Sequence, residues 1–209
     1  MTTEIDKNKN LEIEIKIRIN NIETLREKIL TQDFCVVEDN TLEHNIVFDT
    51  KEQRLKKNKC LLRLRRKNNK NVLTFKRPPA KALKSKKYKI REENEVEVSD
   101  FENTTAIIRA LGFDVFFIYE KYREVYKRKN GNVKIMIDQT PIGDFIEIEG
   151  SAEEIDQIAS ALGFTRKDYI TANYYTLFRE IHKTGHMQFK RPAAAANNKT
   201  TKHKRKPRK

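Results

Sequence analysis

Residues 11–19, Leu-Glu-Ile-Glu-Ile-Lys-Ile-Arg-Ile, alternate strictly between aliphatic and charged side chains. A period of two places Leu11, Ile13, Ile15, Ile17 and Ile19 on one face of a β-strand and Glu12, Glu14, Lys16 and Arg18 on the other. Taken singly, such a strand belongs to an antiparallel sheet with its charged face in water. The pattern recurs, however. Arg63 and Arg65 oppose Leu62 and Leu64 in a strand over residues 60–66, and after an Asn68-Asn69 turn Thr74 and Lys76 oppose Leu73 and Phe75 over 72–76. From residue 89 on, Lys89, Arg91, Glu93, Glu95 and Glu97 share a face against Ile90, Val96 and Val98. Lys121 with Arg123 (strand 115–126), Lys134 with Asp138 (strand 133–138), and Glu147 with Glu149 complete the series. A further strand is predicted at residues 44–48, with His44 at its start in a structural role, and residues 51–59 read as a polar connection.

Between the strands the period changes to that of helices. Asn20 or Asn21 can cap a short helix through Leu25 and Ile29, and Ser99 or Asp100 one that carries Ile107, Ala110 and Leu111 and stops at Gly112. Ser151 opens a third with Glu154 placed for a capping box, a stripe of Ile155, Ile158, Ala159 and Leu162, and Gly163 behind it. Pro78-Pro79 ends a strand, residues 80–87 read as a basic loop, and a last helix is predicted over 174–181, with structure stopping near Lys183. Glu93/Glu95, a helix and Ala110-Leu111-Gly112-Phe113 are echoed by Glu147/Glu149, a helix and Ala161-Leu162-Gly163-Phe164, which suggests two related halves.

A solvated face tolerates Ser, Thr, Asn and Gln freely, yet these positions carry mostly full charges of both signs. Closing the sheet would turn that face into a polar lumen and leave the aliphatic face to helices outside. The predicted fold is therefore α+β, a closed β-barrel with flanking helices. A lumen dense in both signs calls for a ligand of both signs, since unpaired charges removed from water cost several kcal/mol each. Arg and Lys suit phosphate oxygens, and hard carboxylates suit Mg2+ or Mn2+, so a metal-bound polyphosphate satisfies both sets. The alternative is that the charges pair only with one another.

Composition refines the picture at the C-terminus. The 44 Lys and Arg face 30 Asp and Glu, a net charge of +14, but ten of those cations and none of the anions lie between Lys183 and Lys209. The remainder is nearly balanced. Residues 184–209 accordingly read as a disordered basic tail able to touch nucleic acid or polyphosphate without sequence preference, and residues 1–10 as a flexible N-terminus. No apolar run approaches the roughly 18 residues of a membrane span, no apolar leader follows Met1, and Cys35 and Cys60 lack metal-ligand spacing. The expectation is a cytoplasmic protein, without membrane contact, whose two thiols are buried. Oligomeric state is left open by the pattern.

The ordered set Glu12-x-Glu14-x-Lys16, Arg63-x-Arg65, Thr74-x-Lys76, Arg91-x-Glu93-x-Glu95, Lys121-x-Arg123, Asp138 and Glu147-x-Glu149 resembles the CYTH superfamily, the triphosphate tunnel metalloenzymes, over about residues 11–181. The resemblance implies a tunnel domain over 11–183, a closed eight-stranded antiparallel β-barrel with flanking helices, that binds a triphosphate lengthwise and uses Mg2+ or Mn2+. Carried over, Glu12, Glu14, Asp138, Glu147 and Glu149 would be metal carboxylates, and Lys16, Arg63, Arg65, Lys76, Arg91, Lys121, Arg123 and Lys134 would hold phosphate. Glu93 and Glu95 would line the same lumen, and Lys16, Glu12 and Glu14 would be catalytic. The activity implied is a triphosphatase acting on inorganic, nucleoside or thiamine triphosphate. A class IV adenylate cyclase and a non-catalytic polyphosphate or RNA 5′-triphosphate binder are the alternatives.

Overall fold

The computed structural model describes residues 10–79 and 85–190, so expectations for residues 1–9, for 80–84 of the basic loop and for 191–209 lie outside the described residues. Eight antiparallel strands, β1 (Leu11–Ile19), β2 (Phe34–Asp49), β3 (Leu61–Lys67), β4 (Lys70–Arg77), β5 (Lys89–Val98), β6 (Asp114–Arg128), β7 (Lys134–Thr140) and β8 (Gly143–Glu149), close a barrel in the order β1-β5-β4-β3-β2-β6-β7-β8. The seam falls on β1, which pairs with β5 through Glu12–Arg91 and with β8 through Lys16–Glu147.

The apolar face of each strand points outward, where helices cover it. Ile15, Ile17, Ile135, Ile137, Ile146 and Ile148 are buried beneath α1 (Ile22–Leu30) and α4 (Ala152–Ala161), which contribute Leu25, Ile29, Ile155, Ile158 and Ala159. Each such aliphatic side chain adds about 1.5–3 kcal/mol of burial. Ile46, Phe48 and Leu64 are covered by Phe101 and Ile108 of α3 (Phe101–Ala110), whereas Phe117, Tyr119 and Phe145, which share the strand faces of Lys121 and Glu147, pack against Tyr174, Leu177 and Phe178 of α5 (Tyr174–Ile181) on the inner side of the barrel. Of the alternative caps, Asn21 and Asp100 are the ones used, and Ser151 with Glu154 forms the capping box. The echoed halves also match: β5 leads into the ten-residue α3 and β8 into the ten-residue α4, and Gly112 and Gly163 follow with φ of +91° and +93°. No helix among the described residues is long and apolar enough to cross a membrane.

Four expectations are corrected. The strand expected at 44–48 runs over Phe34–Asp49, because β6 provides a long ladder whose register shifts at Val36/Glu38 and Glu38/Thr41 absorb residues that do not alternate. The polar connection contains the short α2 (Arg54–Lys57), anchored by Asp49, whose carboxylate accepts from the Leu55 and Lys56 amides at 2.9 Å each. Cys35 is exposed and Cys60 half-buried, since each side chain lies away from the helix-covered core. Structure does not stop at Lys183: Met187 is fully buried against β6, and its amide and carbonyl bond to Ile118 and Glu120.

Candidate active site

The charged faces of the strands converge on one lumen of about 1130 Å³. Fourteen Lys and Arg and ten Asp and Glu line it, so the cavity carries the cationic excess that a polyanion needs.

On the wall formed by β1, β8, β7 and β6, Lys16 contacts Glu147, and Arg123 contacts both Glu147 and Asp138. Burial pulls the Lys16 ammonium down, but Glu147 and Glu14 outweigh it and hold it above the ordinary lysine value. Burial would raise the Glu147 carboxyl, yet Arg123, Lys16 and Lys121 bring it well below the usual range. Glu14 behaves alike: burial and neighbouring Glu147 oppose ionisation, and Lys89, Lys16 and Lys76 bring it to about 2. Asp138, fully buried, accepts from Arg123 Nε and Nη2 at 2.6 Å, Lys121 at 2.9 Å and the Tyr174 hydroxyl at 2.5 Å.

Across the lumen, on β3, β4 and β5, Arg63 donates to the Tyr119 hydroxyl at 3.2 Å, to Thr74 at 3.1 Å and to Glu95 at 3.3 Å. Lys76 bridges Glu12 at 2.6 Å and Glu93 at 3.0 Å, while Arg65 stands 3.5 Å from Glu95 and 3.7 Å from Glu43. Glu93 is pushed up to about 7, chiefly by burial and then by Glu12 and Glu95, with Lys76 opposing. Arg91 donates to the Lys59 carbonyl, and Lys134 pairs with Glu149 at 2.9 Å.

The lumen brings together the charged residues singled out from the sequence except Asp138, which is buried in the wall behind it. Asp138 accepts four hydrogen bonds across both its oxygens, from Arg123, Lys121 and Tyr174. Arg18 is exposed beyond the lumen, bonded to the Ile142 carbonyl at 2.9 Å and set over the Phe145 ring. His44 is turned to Glu120 at 3.3 Å. Sequence reasoning missed Glu43, Lys89, Tyr119 and Tyr174. Lys89 shares the alternating face of β5, so that signal was present, whereas Glu43 lies in the unrecognised half of β2 and the tyrosines lack a charge to mark them.

Among the described residues no three His, Cys, Asp or Glu side chains stand arranged as a metal cage. The donor chemistry nonetheless fits a hard divalent cation. Glu14 lies opposite Glu149 in the β1–β8 register, and its charge opposes that of Glu147 inside the buried wall. Glu12 adds a fourth carboxylate from β1, held by Lys76.

The CYTH domain model matches residues 10–168. A protein of Methanocaldococcus jannaschii, provisionally named an adenylate cyclase, is 26% identical over 178 residues, covering 80% of this chain and 98% of its own. The solved structure of a conserved hypothetical protein from Pyrococcus furiosus is 30% identical, with a TM-score of 0.64 over 79% of this chain and 99% of its own. A Hippeastrum protein, provisionally an adenylyl cyclase and described as having a dominant triphosphatase activity, shares the fold at 22% identity and a TM-score of 0.59, over 81% of this chain and 95% of its own. The match runs through all eight strands and α4, and the charged face of every strand lines one closed tunnel: the chain belongs to the CYTH domain family.

Proposed function

We propose that the protein is a divalent-cation-dependent triphosphatase that hydrolyses a triphosphate lying along the tunnel, with water as nucleophile. The observation that carries this reading is the buried apposition of Glu14 and Glu147 to Lys16 and Arg123 inside a lumen with excess positive charge. Glu12, Glu14, Glu147 and Glu149 would hold Mg2+ or Mn2+. Bound there, the ion would neutralise phosphate charge and lower the pKa of a coordinated water.

The chain's own groups perform the rest. Arg63, Arg65, Lys76, Arg91 and Lys121 bind phosphate oxygens, and Arg123, fixed by Asp138 through two hydrogen bonds, presents its charge in one orientation. Lys16, kept protonated by Glu147 and Glu14, orients the transferring group or the attacking water and does not serve as a base. Lys134, at the start of β7, supplies a further cation. The triphosphatase activity described for the Hippeastrum protein is in keeping with hydrolysis on this fold. The name given to the Methanocaldococcus relative favours a second reading, cyclisation of ATP to cyclic AMP and pyrophosphate. Free Cys35 and Cys60 accord with a cytoplasmic location.

Purified protein offered inorganic triphosphate, ATP and thiamine triphosphate with Mg2+ or Mn2+ separates these readings. Orthophosphate release supports hydrolysis, cyclic AMP with pyrophosphate replaces it by cyclisation, and tight binding without product leaves a binder. Glu147→Gln, which keeps the side chain's shape but removes its charge, should lower kcat by at least 100-fold; full activity would refute the assignment of this cluster.

A further inference from the structure

The two ends of the tunnel differ chemically. Along β6 the lining passes from Phe116 and Phe117, through Lys121 and Arg123, to Lys127, and along β3 from Leu61 to Lys67. The end near α5 is thus aromatic, and the far end polar and charged.

A β-bulge builds the aromatic end. Val47 pairs with Phe117 but Phe48 pairs with Val115, so Phe116 is an extra residue on β6 that escapes the alternation, and both phenylalanines reach the cavity. Tyr175 of α5 packs on them, its ring centroid 4.7 Å from that of Phe116 and 5.2 Å from that of Phe117. Lys56 sets its ammonium 5.4 Å from the Phe116 centroid and 5.0 Å from that of Tyr175. Phe117 is buried beneath this group, whereas Phe116 and Tyr175 remain half-buried and still have ring area to offer the cavity.

Arg63 faces Val47 across the β2–β3 ladder while Val47 faces Phe117, so this arginine stands next to the aromatic end. A polyphosphate held from Arg63 inward with its free terminus toward the charged end sets its esterified end beside the rings. Inorganic triphosphate has nothing to place there, but a nucleobase gains stacking area on an aromatic platform. We propose that Phe116, Tyr175 and Lys56 form a subsite for the aromatic base of a nucleoside triphosphate. The inference rests on the triphosphate reading of the tunnel and narrows it to nucleotides. Tyr175 lies beyond residues 10–168, so the family match does not supply this subsite.

Titration calorimetry of the full chain with ATP and with ribose 5-triphosphate, which differ by the base alone, tests it. ATP should bind about tenfold more tightly, the ratio should fall toward one in Tyr175→Ala and in Phe116→Ala, and Tyr175→Phe should retain it. Because both affinities come from one preparation, a reduced folded fraction leaves the ratio unchanged. Equal affinities in the unaltered protein, or a ratio that survives both alanine substitutions, overturns the subsite. If no triphosphate is turned over, the hydrolytic reading fails, and the affinity ratio still decides the subsite.

Discussion

Glu147 holds Lys16 and Arg123 by direct contact, whereas Glu43 stands 3.6 Å from Lys67 and 3.7 Å from both Arg65 and Lys121, with one carboxylate oxygen free of any hydrogen-bond partner among the described residues. Burial would raise the Glu43 carboxyl, but Lys121, Arg123, Arg65 and Arg63 bring it to about 2, so a full negative charge sits beneath these cations. It fixes their positions by charge and leaves their donors for phosphate. In Glu43→Gln the cations lose their counter-charge: triphosphate should bind more tightly, lowering KM, while kcat should drop about tenfold or more as the cations lose register. Unchanged KM and kcat would remove this positioning role. Glu93 shows the opposite balance. Its folded value of about 7 lies above the ordinary 4.5, so its contribution to stability is full below pH 4.5 and is lost as pH rises through 7. Glu93→Gln should therefore raise the melting temperature at pH 8.5 and leave it unchanged near pH 4.5; destabilisation at pH 8.5 would show that Lys76 favours the ionised form. Glu93 was legible because it falls in an unbroken alternation. Glu43 was not, because Glu38-Asp39-Asn40 ahead of it reads as a polar loop.

At the scale of elements, the helices announced themselves through caps and stripes, and α5 ends where its pattern does, at Ile181. The segment after it had no such signal, since residues 184–190 carry neither period, and their order comes from a vacancy elsewhere in the fold. β7 pairs with β6 only from Tyr122 onward, so the Ile118–Glu120 stretch would present bare amides and carbonyls opposite β2. Residues 186–189 fill that edge. The Met187 carbonyl accepts from the Glu120 amide at 2.8 Å, its amide donates to the Ile118 carbonyl at 3.0 Å, and the Phe189 amide donates to the Glu120 carboxylate at 3.2 Å. Truncating a buried Met to Ala costs about 2–5 kcal/mol, and removing the segment also strips the edge. A chain ending at Lys183 should therefore melt several degrees lower than one ending at Lys190, while the latter should match the full chain. Equal melting points for the two truncations would show that the segment adds no stability.

For the whole molecule, closure was legible because alternation that repeats on strand after strand with both signs of charge has no economical open-sheet solution. The chemistry of the two ends was not, because it depends on which strands adjoin and on a bulge at Phe116 that breaks the period the sequence was read by. The closed lumen has a thermodynamic consequence. It is lined by fourteen cations and ten anions, those at its centre packed at low solvent access, so the surplus positive charge opposes folding of the empty protein. A triphosphate that binds only the folded tunnel relieves that opposition and stabilises by mass action, about 2.7 kcal/mol at a hundredfold excess over Kd. For a chain of this size that corresponds to a rise of roughly 5–11 °C in melting temperature. Salt should act in two directions: raising KCl from 50 to 500 mM should stabilise the empty protein by screening its self-repulsion and shrink the increment from triphosphate, because the same ions compete for the cations. A triphosphate increment that is absent at 50 mM KCl, or that does not diminish at 500 mM, would place the ligand's binding outside the lumen.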